Sequence, residues 1–393
     1  MNVLFVTPDW IFDQDSGAKV RDFRLLSTLA RHYQVELMTW AREGSGEVDV
    51  HDHKVQWEGL PRALGRMFAV RSLSGLPSAQ ARLAHPAAVE KLRAKVRAGT
   101  VVHCSGMEPF WAVRNLGVPI VVDVQDLEYR LRLSLLPGTT RLRRRVGLAC
   151  QAALLWIAER RMVLHPATTA LVSVSAEIAD RISRWHPHAR IAVVRNGFQR
   201  LDLSAERCVG RNVTFVGAMD YVPNRRAAEV LIRVVAPYLE RHVPGARIRL
   251  VGKKPPLDLL EALAPSNVDA LGFVPDLKTV YESTAVVVVP LSDGDGTKVK
   301  TIEALGNGMC VVTTAEGRRG LSGIAGEHFI EVRSVEDLCV ALRDLLLDPA
   351  RAERIGRAAL AHYAMGDWEA SGTDLLRIYE EVALHARNYA HIV

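Results

Sequence analysis

The residues best suited to chemistry lie between 285 and 314, in AVVVVPLSDGDGTKVKTIEALGNGMCVVTT. Two carboxylates, Asp293 and Asp295, alternate with Gly294 and Gly296, and Thr297, Lys298, Lys300 and Glu303 follow. Glycines let a backbone close on an anion, and the free amides at a helix start point toward it. Lys298 and Lys300 add positive charge. Glu303 can turn a carboxylate toward the loop, and a carboxylate suits a vicinal diol because it accepts two hydrogen bonds at once. Phosphate donors beside a diol acceptor describe a nucleotide site. The competing reading is an ordinary βαβ crossover with a solvated charged face. A third reading takes Asp293-Gly294-Asp295 as a DxD pair on a divalent cation. The neighbouring lysines weaken that reading, and an EF-hand is excluded because its last ligand position falls on Ala304.

The elements that must hold these residues follow from pattern. The apolar run 285–289, ended by Pro290, reads as a strand buried on both faces. Thr297 is the expected cap of a helix over about 298–305, ended by Gly306 and Gly308, and 309–314 reads as the next strand. The loop therefore sits at the carboxyl end of a strand, where open α/β sheets bind ligands. The same rhythm places strands at 3–7, 35–39, 51–57, 100–103, 119–124, 170–174 and 191–194 in the first half, and at 213–216, 247–251, 268–271 and 329–332 in the second. Helices fall between them, with Ser175 and Asn224 as expected caps, which makes the class α/β. No G-x-G-x-x-G follows the first strand, which counts against a nicotinamide dinucleotide. No HExxH, GxSxG or P-loop is present.

Residues 295–303 resemble the Glu-x7-Glu segment of retaining family-4 (group 1) glycosyltransferases, through Gly296, Glu303-Ala304-Leu305, Gly308 and Val311-Val312, with Asp295 in place of the first Glu. The GTKVK variant is similar to a subgroup linked to bacterial surface-polysaccharide sugar transferases. Arg195-Asn196-Gly197-Phe198 resembles the family's VxNGxD, with Gln199 for its Asp. Gly217 matches a βα glycine, and Gly272-Phe273-Val274 resembles a GxV. The resemblance implies the GT-B fold: two Rossmann-like domains facing a cleft. Residues 1–198 would form the acceptor side, 199–365 the nucleotide-sugar side, and 366–393 a helix returning to the first domain.

The implied reaction moves a sugar from a nucleotide-diphospho-sugar to a glycan, lipid-linked or small-molecule hydroxyl, in envelope glycan, exopolysaccharide or glycosylated natural-product synthesis. Retention in the family needs no protein nucleophile, because the leaving phosphate helps deprotonate the acceptor. No cofactor or metal is expected beyond the donor substrate. Carried to this chain, Glu303 holds the ribose, Asp295 contacts the transferred sugar, and Phe273 and Val274 frame the base. Gly17, Gly217, Gly296 and Thr297 lie toward the phosphates. Many members place an Arg after the βα glycine and a Lys several residues on. This chain has Ala218 and Asn224 there, so the diphosphate charge is assigned to Lys298, with Lys300 and Arg225 behind it. Asp295, Lys298 and Asp126 form the expected catalytic set. His103, at a strand end, joins Gln125 and Asp126 on the acceptor side. Gln125 replaces the family's His, and it hydrogen-bonds a hydroxyl but takes no proton. Two other functions share the fold. One is a nucleotide-sugar epimerase, with Asp123, Asp126 and His103 as its acid/base candidates. The other is an inactive membrane-associated scaffold.

The whole chain sets outer bounds. Its 393 residues accommodate two domains, and a net charge of +6 suits an anionic ligand or an anionic surface. Arg130, Arg132, Arg141, Arg143, Arg144 and Arg145 lead into an apolar helix over 147–164. That is the pattern of a helix lying on an anionic membrane, or of a solvated arginine face on a packed helix. No nucleic-acid motif accompanies it. Five cysteines are scattered without a CxxC pair, which points to reduced thiols. The first residues run straight into a strand without a signal-peptide pattern, and no apolar run reaches the ~20 residues of a membrane span. A cytoplasmic protein, peripheral on the inner membrane face, is the resulting expectation.

Overall fold

The computed structural model describes residues 1–14, 16–61, 83–136, 139, 141–204, 210–263, 266–293, 297–364 and 366–390. The chain folds into two compact units, one of Met1–Arg195 with Ser371–Val393, the other of Asn196–Ala370. The expected Gly294, Asp295 and Gly296, together with Cys208, lie outside the described residues.

The first unit is built on an eight-stranded sheet in the order β3-β4-β2-β1-β5-β6-β7-β8. Its strands are β1 (Asn2–Thr7), β2 (Gln34–Thr39), β3 (Ser45–Val50), β4 (His53–Gly59), β5 (Thr100–Ser105), β6 (Ile120–Val124), β7 (Thr168–Ser173) and β8 (Ile191–Val193). All neighbours run parallel except the β3–β4 hairpin. The expected strand over 51–57 is corrected here. His51 and Asp52 form the hairpin turn with φ of 46° and 67°, and the strand begins at His53. The pattern missed β3 because Ser45-Gly46-Glu47 is polar, as an edge strand tolerates.

Strand alternation divides the core between two faces. Leu4 and Val6 join Val102, Ile120, Val122 and Leu171 on one side, whereas Val3 and Phe5 join Leu25, Leu29, Val101 and Val121 on the other. The C-terminal helix Trp368–Ala390 contributes Leu375, Ile378, Tyr379 and Val382 to that second face. Within it lies a buried ion pair. Arg21 donates from Nε to Asp123 Oδ2 at 2.8 Å and from Nη2 to Oδ1 at 2.7 Å, while Nη1 donates to the Val194 carbonyl at 2.8 Å. One guanidinium thus ties the first helix, Gly17–His32, to the end of β6 and to the segment after β8.

The second unit carries a six-stranded, all-parallel sheet in the order β11-β10-β9-β12-β13-β14. Its strands are β9 (Asn212–Val216), β10 (Arg247–Val251), β11 (Val268–Gly272), β12 (Val286–Val289), β13 (Val311–Thr314) and β14 (Ile330–Val332). From β9 the chain winds outward through β10 and β11, then returns to the other flank of β9 with β12. The switch point therefore falls between the carboxyl ends of β9 and β12. Phe198 packs into this unit's core, and a Cβ on Gly306 would come within 2.4 Å of its ring. Asn307 accepts from Leu201 N at 2.7 Å and donates to the Gln199 carbonyl at 2.9 Å, so the polar stretch after Phe198 is pinned to this unit.

Removing one partner of a buried ion pair leaves the other charge unpaired, which costs about 3–5 kcal/mol. Arg21→Met is therefore expected to lower unfolding free energy in urea by about that amount. The double variant Arg21→Met/Asp123→Leu should recover most of the loss. Equal destabilisation in single and double variants would show that the pair is not what holds these elements together.

Candidate functional site

Of the residues expected on the donor side, Gly217, Thr297, Lys298 and Lys300 lie about the β9/β12 switch point. The helix after β12 spans Val299–Gly306, and Lys298 occupies the cap position with no side-chain cap bond. The expected Thr297 cap is corrected: its hydroxyl lies against Gly320, where an added Cβ would come within 2.5 Å, and has no hydrogen-bond partner among the described residues. Gly320 has φ +77°, and the loop after β13 folds onto this site. Thr301 Oγ1 donates to the Gly317 carbonyl at 2.7 Å.

The two lysines differ sharply. Lys298 is 8% exposed, and its ammonium lies 3.3 Å from Glu316, which also pairs with Arg319 at 2.5 Å. Glu316 offsets part of its charge while shared with Arg319, so Lys298 is in part committed to a protein partner. Lys300 reaches across to the end of β9. Its ammonium donates to Asn224 Oδ1, sits 4.8 Å over the Phe215 ring, and lies 2.5 Å from where a Gly217 Cβ would be. A side chain at Gly217 would displace the Lys300 ammonium and the Asn224 amide. Among the described residues no carboxylate pairs with Lys300. Burial, and then the charge of Lys298, push its ammonium from 10.5 down to about 7.

Asn224 is not the expected helix cap. The helix Val222–Val230 starts two residues earlier, with Pro223 in its first turn, and Asn224 Nδ2 donates to the Ala218 carbonyl at 2.8 Å. Arg225, expected as a supporting cation, is committed to Asp258 at 2.8 Å and to Glu229. Asp293 is held by Arg226. Glu303 is half-buried on the helix after the loop, near enough for its charge to act on the Tyr281 hydroxyl. Phe273 stands exposed beyond β11 with the Lys253 ammonium 5.3 Å from its ring, and Val274 packs partly into the core.

In the first unit a second cluster forms at the corresponding switch point, between the ends of β1 and β5. Thr7 and Ser105, the last residues of those strands, donate to Asp22 Oδ2 at 2.9 and 2.6 Å. Gln125 Nε2 donates to Asp22 Oδ1 at 2.8 Å. Burial pushes the Asp22 carboxyl from 3.8 up to about 7, with the Ser105 hydrogen bond opposing and Asp123 adding to the rise. Asp126 is half-buried, and its charge helps raise Glu159, whose burial carries it to about 8. Gly17 opens the first helix, exposed, behind a Ser16 cap that accepts from Lys19 N at 3.4 Å. The acceptor-side expectation for His103 is corrected. It is fully buried, stacks 4.4 Å from Phe5, and shares a 2.8 Å hydrogen bond with Tyr379. Burial lowers it to about 4, so it is a neutral core residue.

Residues 210–348 match the family model described as Glycosyl transferases group 1. The chain carries a group 1 glycosyltransferase domain. It is 27% identical over 312 residues to D-inositol 3-phosphate glycosyltransferase of Rhodococcus opacus, a match covering 72% of this chain and 66% of that protein. The matched stretches span about half to two thirds of the first such relatives' own lengths. Sucrose-phosphate synthase from Thermosynechococcus elongatus superposes with a TM-score of 0.70 at 17% identity, over 97% of this chain and 98% of that one. Anabaena Alr3699/HepE, solved with UDP and glucose, gives 0.65 at 13% identity, over 97% and 100%. The fold is GT-B.

Within the glycosyltransferase domain, sequence reasoning named Lys300 but ranked it below Lys298, and it did not foresee Glu316 as the reason. In the first unit it missed Arg21 and Asp22. A signal was present: Asp22 lies three, four and seven residues before Leu25, Leu26 and Leu29, an acid on an apolar helical stripe. Below about pH 7 the Asp22 carboxyl holds a proton, and above it the carboxylate accepts the Gln125 amide. The Gln125 side-chain NH2 signals in nitrogen-15 NMR should therefore titrate with a midpoint near 7, and Asp22→Asn should abolish that titration. Signals that ignore pH in the wild type would contradict the arrangement.

Proposed function

We propose that the protein is a retaining glycosyltransferase that moves a sugar from a nucleoside-diphospho-sugar to a hydroxyl acceptor in glycan or glycoconjugate synthesis. The observation that carries this reading is Lys300: a desolvated ammonium at the switch point, seated against Gly217 and Asn224 without a carboxylate partner among the described residues. A partly buried cation of that kind is poised for an anion, and a departing diphosphate supplies one. The Thr297 hydroxyl and the first amides of the Val299–Gly306 helix are further donors toward phosphate oxygens. Glu303 takes the ribose diol. Asp295, by resemblance, orients the sugar. In the reaction the acceptor oxygen bonds to the anomeric carbon on the face the diphosphate leaves. The bond from that carbon to the phosphate oxygen breaks, and the acceptor proton passes to the phosphate oxygen. Gln125 and Asp126, on the first unit, serve the acceptor hydroxyl.

Two observations favour this over the other functions of the fold. An epimerase needs an acid/base set, and of its three candidates His103 is buried and neutral and Asp123 is locked to Arg21, which leaves Asp126 alone of the three. An inactive scaffold has no need to keep a desolvated lysine, yet the cation missing at Ala218 and Asn224 is supplied from Lys300. The HepE neighbour was solved with UDP, which makes UDP the first nucleotide to test.

Calorimetric titration with UDP, GDP and ADP checks the assignment. Lys300→Met should weaken the best-bound nucleotide at least roughly tenfold, about 1.4 kcal/mol, and Lys298→Met should cost less because Glu316 already offsets part of that charge. The reverse order would overturn the assignment of the anion to Lys300. Because Lys300 is desolvated, Lys300→Met should also raise the melting temperature of the nucleotide-free protein. With radiolabelled UDP-sugar, turnover of Glu303→Ala should fall by at least roughly tenfold.

A further inference from the structure

The helix Leu142–Val163 has two apolar faces, and only one is covered by the described residues. Ala152, Leu155, Ala158, Met162 and Val163 are buried in the first unit. On the opposite face Leu142, Val146, Cys150, Ala153 and Ile157 recur at helical spacing and are exposed, Leu142 by 74% and Val146 by 53%. No residue from 142 to 151 is buried, so the first turns stand clear of the core. Arginines bracket the stripe: Arg141, Arg143, Arg144 and Arg145 at one end, Arg160 and Arg161 at the other, with Arg160 stacked 5.5 Å over Trp156. Among the described residues none of the first four is in an ion pair. Between Glu128 and Glu159 the sequence contains no carboxylate residue.

We propose that this face is a docking surface for an anionic lipid bilayer, with the helix lying in the plane of the interface. Apolar side chains enter the acyl boundary while the guanidinium groups meet lipid phosphates. The charge pattern selects this occupant. A second copy of the chain would bring one arginine cluster against another across a twofold axis. An apolar protein groove would leave the arginines without counter-charge. A bilayer carrying acidic headgroups matches both features at once. No helix among the described residues is long and apolar enough to cross a membrane, so this contact would be peripheral.

Vesicle co-sedimentation with the full chain tests the inference. At about 0.1 M salt, phosphatidylcholine vesicles with about 30% phosphatidylglycerol should retain the protein at least roughly tenfold more strongly than phosphatidylcholine alone, and raised salt should release it. Leu142→Asp/Val146→Asp/Ile157→Asp should lose that retention while keeping nucleotide affinity and melting temperature. Arg143→Glu/Arg144→Glu/Arg145→Glu, which leaves the apolar stripe intact, should lose it as well. Equal binding to both vesicle types, or triple variants that bind as the wild type does, would overturn the proposal. So would a dimer, seen by sedimentation velocity and broken by the apolar triple variant, in a protein that ignores vesicles.

Discussion

A lysine ammonium with no carboxylate partner among the described residues, at the end of a parallel sheet, is the feature on which the proposed function turns. Lys300 gives up hydration to lie over Phe215 and against Asn224, and both burial and Lys298 work against its charge. Such a group is unfavourable in an empty protein and favourable in one holding an anion. The surrounding backbone is shaped around it. Gly217 leaves the ammonium its space, and Gly252, with φ +141°, faces the Gly217 carbonyl so closely that a side chain there would collide with it. Beside it Lys298 and Arg319 share the Glu316 carboxylate, so Lys298 has a protein counter-charge that Lys300 lacks among the described residues.

The first unit solves the same topological problem differently. At its switch point the strand ends converge on a carboxyl, Asp22, and the outcome is a hydrogen-bonded platform that holds the Gln125 amide. The adjacent Arg21–Asp123 pair fixes the first helix against β6, so the platform rests on an element with little freedom to shift. One switch point thus presents a cation and the other an amide with a titratable support.

Much of this was legible in the chain itself. Unbroken apolar runs such as 286–289 and the periodic helices are strong local signals, and they place most of the parallel strands correctly. What pattern does not encode is which charged side chain meets which. Lys298 and Lys300 are two residues apart and chemically alike. They separate only because the loop after β13 brings Glu316 to one of them and the end of β9 brings Asn224 to the other. His103 looked like a site residue because the pattern ended a strand there, whereas β5 runs on to Ser105 and the C-terminal helix, far away in sequence, sets Tyr379 against the imidazole in the core. The polar edge strand β3 escaped notice because its partner, not its composition, makes it a strand.

The most direct test follows the Lys300 side chain by NMR through a pH titration, with and without saturating UDP, GDP or ADP. The account predicts a midpoint near 7 in the free protein, moving up by at least about one unit when the nucleotide binds, since an adjacent diphosphate favours the charged form. A free-protein midpoint at the ordinary lysine value, or one that stays in place when a nucleotide is bound, would contradict it.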